Sequence, residues 1–242
     1  MAKERVDILM VSRGLCDSRE QAKRLIMAGE VFTESDRVAK PSQKIGPDTV
    51  LTVKERPKYV GRGGFKMEGA LSEFGIDPTG WICADLGAST GGFTDCLLQH
   101  GAKKVHAIDV GTNQLVWKLR SDERVISKER FNARNLVVED IGERVNLVVM
   151  DLSFISLTKV LPSAFGILEE GGSVVSLIKP QFELTKGEVG KGGIVRDESG
   201  HQKAVDKIKT FITEELGREW CGLITSPITG TDGNVEFLAW MK

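Results

Sequence analysis

Two lysines and two carboxylates occupy positions in this sequence where they could assist proton transfer. Asp151 and Lys179 each directly follow an apolar run, Glu236 lies in the last apolar run, and Lys66 precedes the first run of the larger, C-terminal part. A lysine held among carboxylates can share the proton of a weakly acidic hydroxyl group, because the neighbouring charges set its protonation and its position. These four side chains are therefore candidates for chemistry at an oxygen atom.

A glycine-rich segment lies between the first apolar run of this part and a predicted helix. It reads Asp85-Leu86-Gly87-Ala88-Ser89-Thr90-Gly91-Gly92-Phe93. Glycines at such a turn let the backbone approach a ligand, and the helix N-terminus presents free N–H groups. The spacing matches neither a dinucleotide-binding fingerprint nor a phosphate-binding P-loop. Asp109 closes the second run, where an acidic side chain is placed to accept hydrogen bonds from ribose hydroxyls.

The same glycine segment matches a second, competing pattern. Gly87-Ala88-Ser89-Thr90-Gly91 fits the Gly-x-Ser-x-Gly turn that carries the nucleophile of α/β hydrolases. That turn normally follows several strands, whereas this one follows the first strand of the sheet. A catalytic triad would also need an acid and then a histidine downstream, and only His201 is well placed after Asp151. A hydrolase is kept as a minor alternative.

The elements that must position these residues alternate between strand and helix. Seven apolar runs predict strands, at 81–86, 104–109, 124–127, 145–150, 172–178, 221–226 and 235–241. Helical segments in most of the gaps predict an α/β fold with a mostly parallel sheet covered on both faces. The last two runs are separated only by the turn region 227–234, so they are expected to pair antiparallel at one edge.

The N-terminal region has a different pattern. Two short helices are predicted, one around 6–13 and one over 19–28, the second capped by Asp17 or Ser18 and followed by short strands. The run Ser18-Arg19-x-Gln21-Ala22-x-x-Leu25-Ile26-x-Ala28-Gly29-x-Val31 resembles the S4 RNA-binding domain. We predict an α+β S4-like domain at 1–55, a linker at 56–61 and a second domain at 62–242. The resemblance implies that Arg19, Lys23 and Arg24 contact RNA phosphates.

The strand-end acids and the glycine turn together resemble the S-adenosylmethionine site of class I (Rossmann-like) methyltransferases. This resemblance implies a set of donor-binding residues, namely Asp85, Gly87, Ser89, Thr90, Gly91, Gly92, Phe93, Asp109, Val110 and Asn132. The predicted cofactor is S-adenosyl-L-methionine, and no metal site is predicted.

The residues after the fourth strand bear on which atom receives the methyl group. Enzymes that methylate exocyclic base nitrogens resemble one another in an Asn/Asp-Pro-Pro-aromatic tetrad, whereas this chain has Asp151-Leu152-Ser153-Phe154. None of the four cysteines has a proline neighbour, which disfavours methylation of pyrimidine C5. The order Lys66, Asp151, Lys179, Glu236 resembles the catalytic tetrad of FtsJ-like RNA 2′-O-methyltransferases. By analogy, Lys179 is the base or proton-sharing group, Asp151 orients it, and Lys66 and Glu236 hold the hydroxyl and Lys179.

Taken together, the chain resembles the TlyA (hemolysin A) family of ribosomal RNA 2′-O-methyltransferases, which methylate cytidine ribose. Ribosomal RNA or a ribosomal subunit is then the expected partner, with no obligatory protein partner. The glycine loop departs from FtsJ at Ala88-Ser89-Thr90-Gly91, which puts side-chain detail at Thr90 in doubt. Arg62, Lys186 and Lys191 are further expected RNA contacts, the last two on a polar segment, 185–200, predicted to be a mobile loop that becomes ordered over RNA.

The charge distribution and the hydropathy of the chain bear on whether it binds a polyanion or enters a membrane. Residues 1–60 hold 12 basic and 9 acidic residues, whereas the whole chain has a net charge of −1, so a modestly basic head precedes an acidic body. No apolar run approaches the roughly 20 residues that span a bilayer, and no secretory signal is recognised, so a cytoplasmic protein is expected. A membrane-lytic protein and an RNA-binding protein without turnover are the alternative functions.

Overall fold

In the computed structural model, which describes residues 3–54 and 57–242, the chain forms two compact units. The first ends at Pro57 and the second begins at Lys58, and each has its own hydrophobic core. The predicted linker, 56–61, starts at Arg56, which lies outside the described residues, as do residues 1, 2 and 55 of the predicted first domain.

The first unit consists of two helices and two small antiparallel ribbons. Its elements are β1 (Glu4–Arg5), α1 (Val6–Ser12), α2 (Arg19–Met27), β2 (Val31–Thr33), β3 (Lys44–Ile45) and β4 (Leu51–Val53), with β1 paired to β3 and β2 to β4. Helix α2 begins where the sequence predicts, because the Ser18 hydroxyl accepts a hydrogen bond from the Gln21 amide (3.2 Å). Its Ala22 and Ile26 are buried in the core of this unit.

The second unit is built on a seven-stranded sheet, which confirms the predicted fold class. Its strands are β5 (Ile82–Leu86), β6 (Lys104–Ile108), β7 (Val125–Lys128), β8 (Val145–Met150), β9 (Leu168–Ile178), β10 (Trp220–Thr225) and β11 (Phe237–Met241). They lie in the order β10-β11-β9-β8-β5-β6-β7. The five strands from β9 to β7 are parallel, and β11 runs antiparallel to both β9 and β10, as predicted for the last two strands.

Helices cover both faces of this sheet. They are α3 (Gly63–Phe74), α4 (Gly92–Gln99), α5 (Trp117–Arg120), α6 (Val138–Ile141), α7 (Leu161–Gly166), α8 (Pro180–Glu183) and α9 (Glu198–Thr210), with 3₁₀ turns at Ala133–Asn135 and Leu157–Lys159. Successive residues of β8 belong alternately to two cores: Val148 and Met150 to one, Leu147 and Val149 to the other. Because side chains alternate along a strand, the two cores lie on opposite faces of the sheet.

The strand directions bring the candidate residues to one edge of the sheet. Asp109, Asp151 and Lys179 directly follow the carboxyl ends of the parallel strands β6, β8 and β9. Glu236 directly precedes β11 and so lies one residue outside the strand to which it was predicted to belong. Since β11 runs antiparallel to β9, with Phe237 opposite Ile178, its amino end reaches the same edge.

Candidate active site

The four lysine and carboxylate residues predicted from the sequence form one connected cluster. The Lys179 Nζ lies 2.6 Å from Asp151 Oδ1, and the Lys66 Nζ lies 3.8 Å from Asp151 Oδ2 and 2.6 Å from Glu236 Oε2. Lys66 and Glu236 are almost wholly buried, with side-chain exposures of 9% and 3%, so neither is a solvated surface residue. Glu236 therefore bonds to Lys66, and Asp151 connects the two lysines.

Ser153 joins this cluster, although the sequence analysis assigned it no role. Its hydroxyl accepts a hydrogen bond from the Lys179 Nζ (3.0 Å). An ammonium group has three N–H donors. With Asp151 and Ser153 accepting two of them, the lysine keeps one donor position for a substrate group. The only signal in the sequence is that Ser153 lies two residues after Asp151.

A cavity of about 260 Å³ opens between this cluster and the glycine loop. Three basic side chains (Arg62, Lys66, Lys179) and three acidic ones (Asp85, Asp151, Glu236) line it. Predicted loop residues also line it, namely Gly87, Ser89, Thr90, Gly92 and Phe93. Formal charges of both signs converge on a small, partly enclosed space, which suits a ligand that itself carries both charges.

Asp85 is fully buried in β5, lines this cavity, and has one oxygen without a partner. Its Oδ2 accepts hydrogen bonds from the amide and the hydroxyl of Thr94 (3.0 and 2.7 Å), whereas its Oδ1 is buried without a partner. The pKa of this carboxyl is raised from 3.8 to about 7, mainly by burial and in smaller part by the nearby Asp151 and Asp109, while the two Thr94 bonds act to lower it. An unpaired buried carboxylate oxygen is costly unless a ligand donates to it.

Gly87 allows the two halves of the site to approach each other. It has a φ of +86°, and a Cβ atom there would lie 2.7 Å from the carbonyl oxygen of Asp151. A side chain would therefore displace either the glycine loop or the segment that carries Asp151. Gly91, by contrast, does not line this cavity; it precedes α4 at a φ of +100°, packed against Leu119.

A second cavity, of about 400 Å³, adjoins the first and is lined in part by Asp109, Val110 and Asn132. Both cavities share Gly87 and Ser89, so they form one continuous groove along the strand ends. The carboxylate of Asp109 accepts hydrogen bonds from the Ser89 amide (2.8 Å) and the Gly111 amide (2.7 Å). Each oxygen retains a lone pair, so the carboxylate stays available to ligand hydroxyls while it fixes the loop.

The hydrolase alternative lacks its base. Ser89 lines both cavities, but no histidine lines either of them within the described residues. His201, the only histidine with a suitable position in the sequence, bonds through Nε2 to the carbonyl of Val195 (2.9 Å) and packs edge-on against Phe237. Nothing here activates Ser89 as a nucleophile.

The residues expected to meet RNA around this site are exposed. Arg62 lies at the cavity rim and donates to the Thr231 hydroxyl (3.3 Å), and Lys186 and Lys191 lie on the irregular segment after α8. The polar, glycine-rich composition of this segment predicts a mobile loop. In the structure Asn234 fastens it, accepting from the Val195 amide (2.9 Å) and donating to a backbone carbonyl two residues earlier (3.0 Å).

In the first unit, all three predicted RNA-binding residues are exposed on α2, but they differ in how other side chains hold them. Arg19 donates to the buried carboxylate of Asp7 (3.0 Å), which also pairs with Arg5 and whose pKa these partners lower to about 2. Lys23 pairs with Glu20 across one helical turn (3.2 Å), and Arg24 is exposed. Arg19 thus contributes to the structure of the unit itself.

Comparison with known proteins extends these observations. The FtsJ-like methyltransferase model matches residues 59–242 and the S4 domain model matches residues 4–51. The chain is 50% identical over 238 residues to the "Putative rRNA methyltransferase YqxC" of Bacillus subtilis, covering 98% of this chain and 84% of that protein. It is 47% identical over 243 residues to the "16S/23S rRNA (cytidine-2′-O)-methyltransferase TlyA" of Mycobacterium tuberculosis, covering 99% and 90%.

A solved structure is similar over the whole chain. It is described as a "Putative hemolysin from Streptococcus thermophilus", with a TM-score of 0.74, 48% sequence identity, and coverage of 100% of this chain and 88% of that one. None of the helices in residues 3–54 and 57–242 combines the length and the hydrophobicity that a membrane span requires.

Proposed function

Because the chain belongs to the TlyA family of FtsJ-like methyltransferases and carries an S4 domain, we propose that it methylates the ribose 2′-oxygen of a cytidine in ribosomal RNA, with S-adenosylmethionine as donor. The observation that carries this proposal is the linked cluster of Lys66, Asp151, Lys179 and Glu236 beside the glycine loop. A cytidine in ribosomal RNA is the target named for the M. tuberculosis relative, and we infer the same target for this chain because it belongs to the same family.

The groove fits the proposed donor on the chemistry of its lining. S-Adenosylmethionine carries an amino group and a ribose, and when bound it supplies a methyl group attached to a positively charged sulfur. The unpaired Oδ1 of Asp85 is a buried acceptor suited to the amino group. Asp109, in the adjoining cavity, is suited to the ribose hydroxyls. Val110 and Asn132 line that cavity beside Asp109 and would contact the nucleoside end.

The lysine–carboxylate cluster would prepare the target hydroxyl. A ribose 2′-hydroxyl is a poor nucleophile until its proton is shared or removed. In its neutral form Lys179 has two N–H donors, for Asp151 and Ser153, and a lone pair in the third position. That lone pair would accept the proton of the 2′-hydroxyl as the oxygen takes the methyl group, and Asp151 would hold the resulting ammonium group. Lys66, held by Glu236, would keep the Asp151 carboxylate in place through the 3.8 Å contact. Near-complete burial of Lys66 and Glu236 keeps this part of the cluster rigid.

RNA is the proposed partner, and the exposed basic residues are its proposed contacts. Arg62, Lys186 and Lys191 lie in the methyltransferase unit, and Lys23 and Arg24 on α2 of the S4 unit. Such side chains bind phosphates irrespective of sequence and set the register of the RNA, while the groove selects the reacting sugar. A ribosomal substrate places the proposed reaction in the cytoplasm.

A transfer assay tests this proposal against the alternatives. Ribosomes are incubated with methyl-tritiated S-adenosylmethionine and the wild type, Lys179→Ala, or Lys209→Ala, an exposed control on α9. We expect RNA labelling by the wild type and by Lys209→Ala, with a loss of more than about 100-fold for Lys179→Ala. The same preparations are tested for lysis of erythrocytes. Lysis without labelling would contradict the proposal, as would full labelling by Lys179→Ala.

A further inference from the structure

A buried carboxylate outside the catalytic cluster has no role in the mechanism described above. Glu183 is the last residue of α8 and follows Lys179 by four positions. Its side chain is only 1% exposed. Burying an ionised carboxylate is costly unless charged or polar partners satisfy it. Its partners therefore indicate what this position does.

Those partners belong to the segment that follows Asp151 and to helix α9. The Oε1 of Glu183 accepts from the Leu157 amide (2.8 Å), and its Oε2 accepts from the Ser156 hydroxyl (2.5 Å) and from Lys207 Nζ (2.9 Å). Lys207 also donates to the backbone carbonyl of Glu183 (2.7 Å) and to the Ser156 hydroxyl (3.2 Å). One carboxylate and one lysine thus join three separate pieces of chain.

The segment after Asp151 depends on such side-chain support. It is irregular from Asp151 to the 3₁₀ turn at Leu157–Lys159, and Phe154 within it has a φ of +64° and a 90% exposed side chain. Among the described residues, no amide from 152 to 157 donates to a backbone carbonyl. The Asp151 amide fixes the start of the segment by bonding to the carbonyl of Leu86 (3.2 Å). Glu183 fixes its end.

Two short pieces of chain are consequently fastened together at both ends. At one end, Lys179 contacts Asp151 and Ser153; at the other, Glu183 contacts Ser156 and Leu157. Since Glu183 ends the single-turn helix α8 that Lys179 directly precedes, a shift at Glu183 would be transmitted to the lysine. We propose that Glu183 is a positioning residue that holds Lys179 against Asp151 and Ser153 in the orientation needed for proton transfer. This inference rests on the proposed function.

The variant Glu183→Gln tests the inference with little change in size. A glutamine can still accept from Leu157 through its oxygen, but its NH₂ group cannot accept from Ser156 or Lys207. We expect kcat for RNA methylation to fall by roughly 10- to 100-fold, as for a small misplacement of a catalytic group. The KM for RNA and the Kd for S-adenosylmethionine are expected to stay within about threefold of the wild-type values, because Glu183 contacts neither ligand site.

Glu143→Gln is the matched control. Glu143 accepts from Lys104 Nζ (2.7 Å) and His106 Nε2 (2.9 Å), so it is also a carboxylate shared by two donors, but it lines neither cavity of the groove. Both variants should lower the melting temperature, and only Glu183→Gln should lower kcat. If Glu183→Gln does not fold, Lys207→Met removes one partner of Glu183 at a partly exposed position. We expect Lys207→Met to reduce kcat by about threefold to tenfold with unchanged ligand affinities.

Three results would overturn the inference. The first is an unchanged kcat in folded Glu183→Gln or, where that variant does not fold, in Lys207→Met. The second is a fall in kcat accompanied by an equal loss of donor and RNA affinity. The third is a fall in kcat of the same size in Glu143→Gln. Failure of the proposed function is distinguishable, because in that case the wild-type protein itself would transfer no methyl group to RNA.

Discussion

At the scale of single residues, the site is defined by which charges are paired and which are left free. The cluster residues satisfy one another at distances of 2.6 to 3.8 Å, whereas Asp85 keeps one buried oxygen without a donor. A polar atom that is buried and unpaired in a cavity is a candidate ligand contact, since a ligand can repay the cost of its burial. Donor binding should therefore depend on the charge of Asp85.

The pH dependence of donor affinity follows from this burial. The pKa of Asp85 is raised to about 7, so the carboxyl is largely neutral below that pH and ionised above it. Only the ionised form binds an ammonium group well, so affinity for S-adenosylmethionine should rise by about tenfold between roughly pH 6 and pH 8. In the donor-free chain the raised pKa has the opposite effect, and Asp85's contribution to stability falls as the pH rises from about 4 to about 7.

Calorimetric titration over this pH range checks the prediction. Asp85→Asn should bind the donor more weakly, and its affinity should not increase with pH. Glu143→Gln, the control, should show the same increase of affinity with pH as the wild type. A flat wild-type profile, or a rise that persists in Asp85→Asn, would show that another group controls binding.

The buried pair Lys66–Glu236 makes a second prediction. Glu236→Gln leaves the Lys66 charge with Asp151 alone, at 3.8 Å, so we expect a loss of about 1–3 kcal/mol in unfolding free energy together with a lower kcat. The double variant Lys66→Met, Glu236→Leu removes both buried charges and should recover stability without recovering activity. Denaturant unfolding and the transfer assay measure the two effects separately. Recovery of activity in the double variant would show that the Lys66–Glu236 pair is not needed for catalysis.

Among the secondary-structure elements, the parallel strands bring Asp109, Asp151 and Lys179 to one edge of the sheet, and the loops supply the remaining residues of the site. The strands were predictable because their apolar runs are long and bounded by polar or glycine-rich turns. Asp151 and Lys179 were predictable for the same reason, since each directly follows such a run. By contrast, β1 and β3 have only two residues each and were not predicted, and β9 starts at Leu168 rather than at residue 172 because its first residues are polar and glycine-rich.

Contacts made by irregular segments were not predictable from the sequence. Ser153 meets Lys179, and Glu183 meets Lys207 24 positions away, because of the path that the loops take through space. The fastening of segment 185–200 by Asn234 was missed for the same reason, since a polar, glycine-rich composition alone predicts a mobile loop. Periodicity and spacing carry no information about such contacts.

The glycine loop gives a prediction at this scale. Gly87→Ala should abolish donor binding, because its Cβ would lie 2.7 Å from the Asp151 carbonyl oxygen at a φ of +86°. Gly142→Ala is the control: it has a similar φ, +79°, but a Cβ there meets nothing within 4 Å. The control should lose only about 1 kcal/mol of stability from the backbone strain and should bind the donor normally. Equal binding by both alanine variants would mean that this close approach is not needed.

At the scale of the whole molecule, two units with different patterns serve one proposed reaction. The basic excess of residues 1–60 and the resemblance to S4 domains predicted an RNA-binding head. The alternating strands and helices predicted an α/β body, and the resemblance of its glycine turn and strand-end acids to a donor site implied a methyltransferase. The S4 and FtsJ-like matches confirm both kinds of domain. The individual RNA contacts on α2 stay predictions.

RNA affinity and its salt dependence test the role of α2. The double variant Lys23→Ala, Arg24→Ala should raise KM for RNA at constant kcat. It should also reduce the slope of log affinity against log salt by about one for each phosphate that the variant no longer binds. Lys40→Ala, an exposed lysine of the same unit outside α2, serves as control and should change neither value appreciably. An unchanged slope in the double variant would show that Lys23 and Arg24 of α2 do not contact RNA phosphates.

The position of the transferred methyl group distinguishes a ribose 2′-O-methyltransferase from every alternative. Ribosomal RNA is treated with the wild-type protein and S-adenosylmethionine, digested with nuclease, and its fragments are analysed by mass spectrometry and by alkaline hydrolysis. We expect one added methyl group on the ribose of a cytidine, with the adjacent linkage resistant to alkali because its 2′-oxygen is blocked. A methyl group on a base, or none in any fragment, would contradict it.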